Sequence, residues 1–146
     1  MIDLRKALCV GIDSYKNASD LFGCVGDAIS VKNALERNGD GTLNFDVKLM
    51  CATSENSYIT RSSLKDSIRD LFSSDSEIAL FYYSGHGSYD SLGGYLCTSE
   101  VERTDDGLSL DDVMKIVSDS PASNKVVILD SCFSAVSYTH LTLPTT

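Results

Sequence analysis

The chain has 146 residues and a formal net charge of −9 at pH 7, because 21 Asp and Glu outnumber 12 Lys and Arg. The length suits one domain rather than two, and an apolar share of 42% is enough for a hydrophobic core. The acidic balance disfavours nucleic acid as a partner, and no run of about 18 apolar residues predicts a membrane span.

The first half of the chain predicts two strand–helix units. Residues 6–12 form a short continuous apolar run, typical of a strand buried on both faces of a parallel sheet. After a turn-rich stretch, Asp27 is expected to cap a helix that Gly39 ends. Leu43–Cys51 alternates in hydropathy and predicts a strand nearer an edge, and Thr60 is expected to cap a second helix. The apolar face of this second helix comprises Leu64, Ile68, Leu71 and Phe72.

The second half predicts two more strands around a hairpin and a helix. Ile78–Tyr83 is an apolar, aromatic run, and Gly93–Thr98 is expected in a small hairpin. Ser109 is expected to cap a third helix, and Lys125–Leu129 predicts a fourth strand. The residues expected inward on the third helix are Leu110, Val113, Met114 and Val117. This order of elements predicts an α/β fold, a mostly parallel sheet with helices on both faces.

The last residues follow no core pattern. Residues 133–146 contain no Asp, Glu, Lys or Arg, and 138–146 resemble the translation of a sequencing adapter. We therefore expect one domain over residues 1–136 and a non-native tail over 137–146, in which His140 has no role.

Five cysteines, an odd number with no Cys-x-x-Cys pair, argue against a disulfide scaffold and a zinc ribbon. The charged N-terminus does not have the pattern of a signal peptide. Both observations favour a cytoplasmic protein. Cys9, Cys51 and Cys97 are expected to be packed thiols.

Two strand ends carry reactive side chains. The third strand leads to His86, between Gly85 and Gly87, and the fourth leads to Cys132. One helical crossover separates them, so both are expected at the same rim of the sheet, where ligands bind in parallel α/β folds. A thiol and an imidazole at this rim could act as the nucleophile and the general base of an acyl transfer reaction. The amides of Gly87 and Cys132 are the natural donors to an oxyanion.

Four short sequence strings within residues 6–135 occur in the same order as in a known family. They are Ala7–Ile12, Leu21–Ala28, Tyr82–Gly87 and Leu129–Ala135. The first resembles the first strand of the caspase–metacaspase clan of cysteine peptidases, and the others resemble its metacaspase strings L-x-G-C-x-N-D-A, Y-S-G-H-G and D-x-C-x-S-G. The resemblance implies the N-terminal portion of a three-layer caspase-like fold. It also implies an endopeptidase with His86 and Cys132 as its dyad and no organic cofactor.

The resemblance also implies a class of substrate. Caspases cleave after Asp, whereas metacaspases cleave after Arg or Lys, which they hold in an acidic pocket. By motif alignment that pocket maps to Cys24, Asp27, Ser84 and Asp130. Two carboxylates suit a guanidinium or an ammonium group, so the expected partner is a protein or peptide with basic residues. A helix cap at Asp27, a turn acceptor at Asp130 and cleavage after Asp stay open as alternatives.

Departures from the family pattern leave other functions open. Ala135 stands where Gly is usual, and the second half of the family's domain is missing, which leaves the fourth strand as a free edge. A non-catalytic caspase-like scaffold is therefore one alternative. An unrelated flavodoxin-like binding domain is another, although residues 11–15, at the end of the first strand, contain a single glycine where a phosphate loop needs several.

Calcium is a further question, because some metacaspases need it. The candidate ligands are Asp105, Asp106, Asp111 and Asp112. Asp111 and Asp112 are expected in the first turn of a helix, where carboxylates favour the helix dipole instead. The sequence does not indicate an oligomeric state.

Overall fold

The computed structural model describes residues 4–54 and 57–131. Over these residues the chain forms a four-stranded sheet, a three-stranded sheet and three α-helices. The main sheet contains β1 (Arg5–Ile12), β2 (Asp46–Ala52), β3 (Ile78–Ser84) and β7 (Asn124–Asp130). The small sheet contains β4 (Gly87–Asp90), β5 (Gly93–Leu96) and β6 (Leu108–Ser109). The helices are α1 (Cys24–Glu36), α2 (Arg61–Phe72) and α3 (Leu110–Asp119), and the α/β prediction is confirmed.

The main sheet is parallel, in the order β2-β1-β3-β7. Helix α1 packs on one face, and α2 and α3 pack on the other, so each face has its own apolar core. Strand β1 is central and its residues 7–12 are buried, as the continuous apolar run predicts. The register places Gly11 opposite Ser84 and Ser84 opposite Asp130. The carboxyl ends of β1, β3 and β7 therefore meet at one edge.

The small sheet is antiparallel and continues directly from β3. The predicted hairpin is confirmed as β4 and β5. Strand β6 has only two residues, and no pattern in the sequence predicts it. Its last residue, Ser109, is also the N-cap of α3.

The start of α1 differs from the prediction. The helix begins at Cys24, and its N-cap, Gly23, has no side chain to bond the first amides. A carboxylate oxygen of Asp13, just after β1, accepts the amides of Cys24 at 2.9 Å and Val25 at 3.4 Å. The prediction that Asp27 caps α1 is therefore wrong, because Asp13, which follows β1, caps the helix instead. Asp27 lies exposed in the first turn.

The other predicted helices agree better with the structure. Thr60 caps α2 by accepting the amide of Ser63, and the four predicted inward residues of α2 are all buried. On α3, Val113 and Val117 are buried, but Met114 is 53% exposed, so its inward placement is wrong. Met114 follows Val113 by 100° around the helix, which turns it out of the apolar stripe.

The cap of α3 can be tested by mutation. Ser109 Oγ accepts the amides of Asp111 at 3.1 Å and Asp112 at 3.3 Å. Ser109→Ala should lower the free energy of unfolding by about 1 kcal/mol, measured by urea denaturation. Ser118→Ala, on the exposed side of the same helix, should change it by less than about 0.5 kcal/mol. Equal losses in both variants would show that the cap is not the cause.

Strand β7 lies at an edge of the described sheet, as expected for the fourth strand. Val127 and Leu129 pack against the core on the side of α2 and α3. On the opposite face, Val126 is 36% exposed and Ile128 is 42% exposed. Among the described residues, no helix is long and apolar enough to cross a membrane. The tail predicted over 137–146 lies outside the described residues.

Candidate active site

The edge where β1, β3 and β7 end holds the described part of the predicted site. Strand β3 leads through Gly85 to His86, and β7 leads to Ser131. Ser131 Oγ donates a hydrogen bond of 2.9 Å to the carbonyl oxygen of Gly85, which ties the two strand ends together. Cys132, the predicted nucleophile and second oxyanion donor, is the next residue and lies outside the described residues.

One ring nitrogen of His86 forms a hydrogen bond with the loop between β1 and α1. His86 Nε2 lies 2.8 Å from the carbonyl oxygen of Ser19. A carbonyl oxygen only accepts, so Nε2 carries the proton in this contact. In the neutral ring, Nδ1 then carries the lone pair that can accept a proton. This arrangement leaves His86 able to take a proton at Nδ1 and to return it there.

The backbone of His86 is held by two tyrosines. Its amide donates to Tyr15 Oη at 2.8 Å, and its carbonyl oxygen accepts from Tyr83 Oη at 2.7 Å and from the amide of Cys97 at 3.0 Å. The rings of Tyr15 and His86 lie 4.6 Å apart between centroids. Burial raises the pKa of both tyrosines, so their hydroxyls stay protonated at neutral pH.

The two glycines that flank His86 have different physical roles. A Cβ on Gly85 would lie 2.6 Å from Tyr15 Oη and 2.7 Å from Tyr83 Oη, so the tyrosines leave no room for a side chain. The Cys97 amide donates to the His86 carbonyl oxygen, so His86 and Cys97 form a hydrogen-bonded pair. Gly87 and Leu96 form the next pair along the same ladder. Because hydrogen-bonded pairs alternate along an antiparallel ladder, the amide of Gly87 points away from β5. It is thus available as a donor, as an oxyanion site requires.

The structure brings together the four predicted pocket residues. Ser84 ends β3 opposite Asp130, and its side chain bonds the Cys24 thiol at the start of α1. Burial raises the pKa of the Cys24 thiol; the bond from Ser84 opposes this, and the charges of Asp13, Asp27 and Asp130 add to it. The thiol is therefore protonated at neutral pH, and it lines the pocket as an uncharged group beside the carboxylates.

In the part of the chain that the structure describes, the two carboxylates of this pocket have no cationic partner. Asp27 and Asp130 are both exposed, and neither forms an ion pair within residues 4–54 and 57–131. Tyr82 Oη donates to Asp130 Oδ2 at 3.1 Å, and burial raises the pKa of Tyr82 to about 12, so this donor persists at neutral pH. A carboxylate held in this way keeps its remaining lone pairs for a ligand.

A close approach of backbone to backbone fixes the pocket's position. A Cβ on Gly11 would lie 2.5 Å from the carbonyl oxygen of Cys24 and 2.8 Å from the Cα of Val25. The first turn of α1 therefore packs directly on β1. Together with the cap from Asp13, this contact determines where Cys24 and Asp27 lie.

The remaining cysteines are packed thiols, as predicted. Cys9 and Cys97 are buried, Cys51 is partly buried on β2, and all three are free of disulfides. Burial raises the pKa of Cys9 to about 11. These thiols are poor nucleophiles at neutral pH.

The calcium candidates do not form a site in the described part of the chain. Asp111 and Asp112 lie in the first turn of α3, and Asp106 accepts the amides of Glu102 and Arg103. No group of three or more metal-ligating side chains converges among the described residues.

The sequence did not indicate three contributors to this site. Tyr15 and Ser19 lie in an aperiodic loop, and Ser19 contacts His86 through its backbone, which leaves no signature in the side chain. Tyr82 reads as a core residue, although its position two before Ser84 on the same strand face could have indicated it.

Comparison with known proteins agrees with this architecture. The caspase domain of peptidase family C14 matches residues 4–143, and the chain belongs to that family. This finding excludes the flavodoxin-like alternative. The chain is also 30% identical over 143 residues to Metacaspase-1 of the fission yeast Schizosaccharomyces pombe. The match covers 89% of this chain and 34% of that relative, so the chain spans about a third of the relative's length.

Proposed function

We propose that the chain is the catalytic portion of a cysteine endopeptidase that cleaves protein substrates after Arg or Lys. Cys132 is the nucleophile and His86 the general acid and base. The observation that carries the proposal is the pair of carboxylates, Asp27 and Asp130, which form no ion pair among the described residues and lie at the sheet edge that also holds His86. No step needs an organic cofactor or a metal.

The reaction follows from the donors and acceptors at this edge. The Cys132 thiol gives its proton to Nδ1 of His86, and the thiolate attacks the carbonyl carbon of the scissile bond. The amides of Gly87 and Cys132 stabilise the resulting oxyanion. His86 then protonates the leaving amine, and a thioester remains. Water attacks the thioester while His86 takes its proton, which releases the acid and restores the thiol.

The charge of the proposed pocket favours one of the two possible cleavage specificities. A basic side chain would form charge-assisted hydrogen bonds with Asp27 and Asp130. An Asp side chain in the same place would bring a third carboxylate beside them, and like charges repel. Cleavage after Arg or Lys is therefore the better-supported specificity.

Two other proposals accompany this one. The odd number of cysteines, with no Cys-x-x-Cys pair, favours a reducing compartment such as the cytoplasm. A non-catalytic caspase-like scaffold is the second candidate function.

Covalent labelling tests the proposal on the chain itself. A peptidyl acyloxymethyl ketone with Arg next to the reactive group should add one label, located by mass spectrometry on the peptide that contains Cys132. The matching Asp probe should react more slowly. Cys132→Ala should abolish labelling, and Cys51→Ser, which removes a partly buried thiol on β2, should not. A faster reaction with the Asp probe would contradict the basic specificity, and no labelling at Cys132 would favour the scaffold.

A further inference from the structure

Tyrosine hydroxyls hold both backbone groups of His86. Tyr15 Oη accepts the His86 amide and also forms a hydrogen bond with the side chain of Tyr83. Tyr83 Oη lies 2.7 Å from two carbonyl oxygens, those of His86 and Cys97. The glycine at 85 confirms the crowding, because a Cβ there would contact both hydroxyls.

The two tyrosines connect the two backbone groups of His86. An amide only donates and a carbonyl oxygen only accepts, so Tyr15 accepts from the His86 amide and Tyr83 donates toward the carbonyl oxygens of His86 and Cys97. Together with the contact between the two tyrosine side chains, these bonds form a ring that runs from the His86 amide through Tyr15 and Tyr83 to the His86 carbonyl. Hydrogen bonds connected in this way polarise one another.

The residues next to His86 restrict its backbone little. It lies between β3 and β4 with Gly85 and Gly87 on either side, and glycine restricts the backbone least. The loop between β1 and α1 supplies the support from outside. Tyr15 contacts the amide and the ring of His86, and the Ser19 carbonyl oxygen accepts from Nε2.

We propose that Tyr15 is a positioning residue, which acts with Tyr83 to keep the His86 ring in the orientation that bonds Nε2 to Ser19 and leaves Nδ1 as the proton acceptor. The effect of this orientation on turnover rests on the proposed peptidase function. The orientation itself does not, so the two can fail separately.

Nuclear magnetic resonance of the imidazole nitrogens tests the proposal without any turnover. The chain has two histidines, and His140→Gln assigns the signals of His86. In the Cys132→Ala variant at pH about 8.5, where an ordinary imidazole is neutral, His86 should be almost wholly the Nε2–H tautomer. Adding Tyr15→Phe should mix the tautomers, so that the two ring nitrogen shifts converge. In the chain with Cys132 intact, Tyr15→Phe should lower kcat/KM about 10- to 100-fold, mainly through kcat.

Controls separate positioning from general damage. Tyr95→Phe removes the hydroxyl of another buried tyrosine, which bonds Asp90, and should leave the His86 tautomer unchanged. Tyr83→Phe breaks the same ring at its other member and should act like Tyr15→Phe. Retention of a pure Nε2–H tautomer in folded Tyr15→Phe and Tyr83→Phe would overturn the proposal.

Hydrogen exchange supplies a test that needs no folded variant at Tyr15 or Tyr83. In the wild-type chain, the His86 amide should exchange far more slowly than an unstructured peptide, because Tyr15 Oη accepts it in a buried ring. Exchange at the unstructured rate would overturn the proposal whatever the variants do.

Discussion

His86→Gln is expected to reduce hydrolysis of fluorogenic Arg-amide peptides by about 10³-fold, with most of the loss in kcat. Glutamine keeps a polar side chain but cannot take a proton at neutral pH. The Cys132 thiol would then lose its base, and the leaving amine would lose its acid. Steady-state kinetics of the purified chain measure the effect.

The chain offers a matched control for this variant. His140→Gln makes the same substitution at the chain's other histidine and should leave kcat/KM unchanged within about twofold. Urea denaturation should show that the His86 variant is folded. If folded His86→Gln keeps more than about a tenth of the wild-type rate, His86 is not the general acid and base.

Removal of the pocket charges is expected to have the second largest effect. Asp27→Asn and Asp130→Asn should each lower kcat/KM for Arg substrates about 10- to 100-fold, since a hydrogen bond to a charged group contributes about 1.5–3 kcal/mol. The amide is the same size and still accepts hydrogen bonds, so the change isolates the charge. The loss should appear mainly in KM, because the pocket holds the side chain and not the reacting atoms.

A distant carboxylate controls for net charge. Asp66→Asn makes the same change on the exposed side of α2 and should leave KM unaltered. An equal rise of KM in this variant would attribute the effect to the overall acidity of the chain. Unchanged KM in both pocket variants would remove these two residues from substrate recognition.

The sequence predicted the parts of the fold that depend on local pattern. The continuous run of β1, the helix caps Thr60 and Ser109, and the hairpin after His86 are all confirmed. Each of these signals lies within a few residues of the element that it predicts. The alternating pattern of Leu43–Cys51 also indicated a position near an edge, and β2 lies at an edge of the described sheet.

The contacts that the sequence did not predict are those between distant parts of the chain. Asp13 caps a helix eleven positions later, so a search for a cap next to the helix selects Asp27 instead. Tyr15 reaches His86 across 71 positions, in a loop with no periodic pattern. Met114 was missed for a different reason. The sequence pattern predicts which side of a helix is buried, but a residue at the edge of that side can be exposed, as Met114 is. For Cys132, the sequence and the family supply the proposed role, since it lies outside the described residues.

The contact between Gly11 and the first turn of α1 has a consequence for ligand capture. Because no side chain separates β1 from α1, the first turn of α1, which carries Cys24 and Asp27, packs directly on the central strand. The carboxylate of Asp13 also accepts the amide of Cys24. In the proposed pocket, a basic side chain would therefore meet a backbone whose position is already fixed. Little conformational entropy is then lost on complex formation, and this preorganisation favours tight recognition by few contacts.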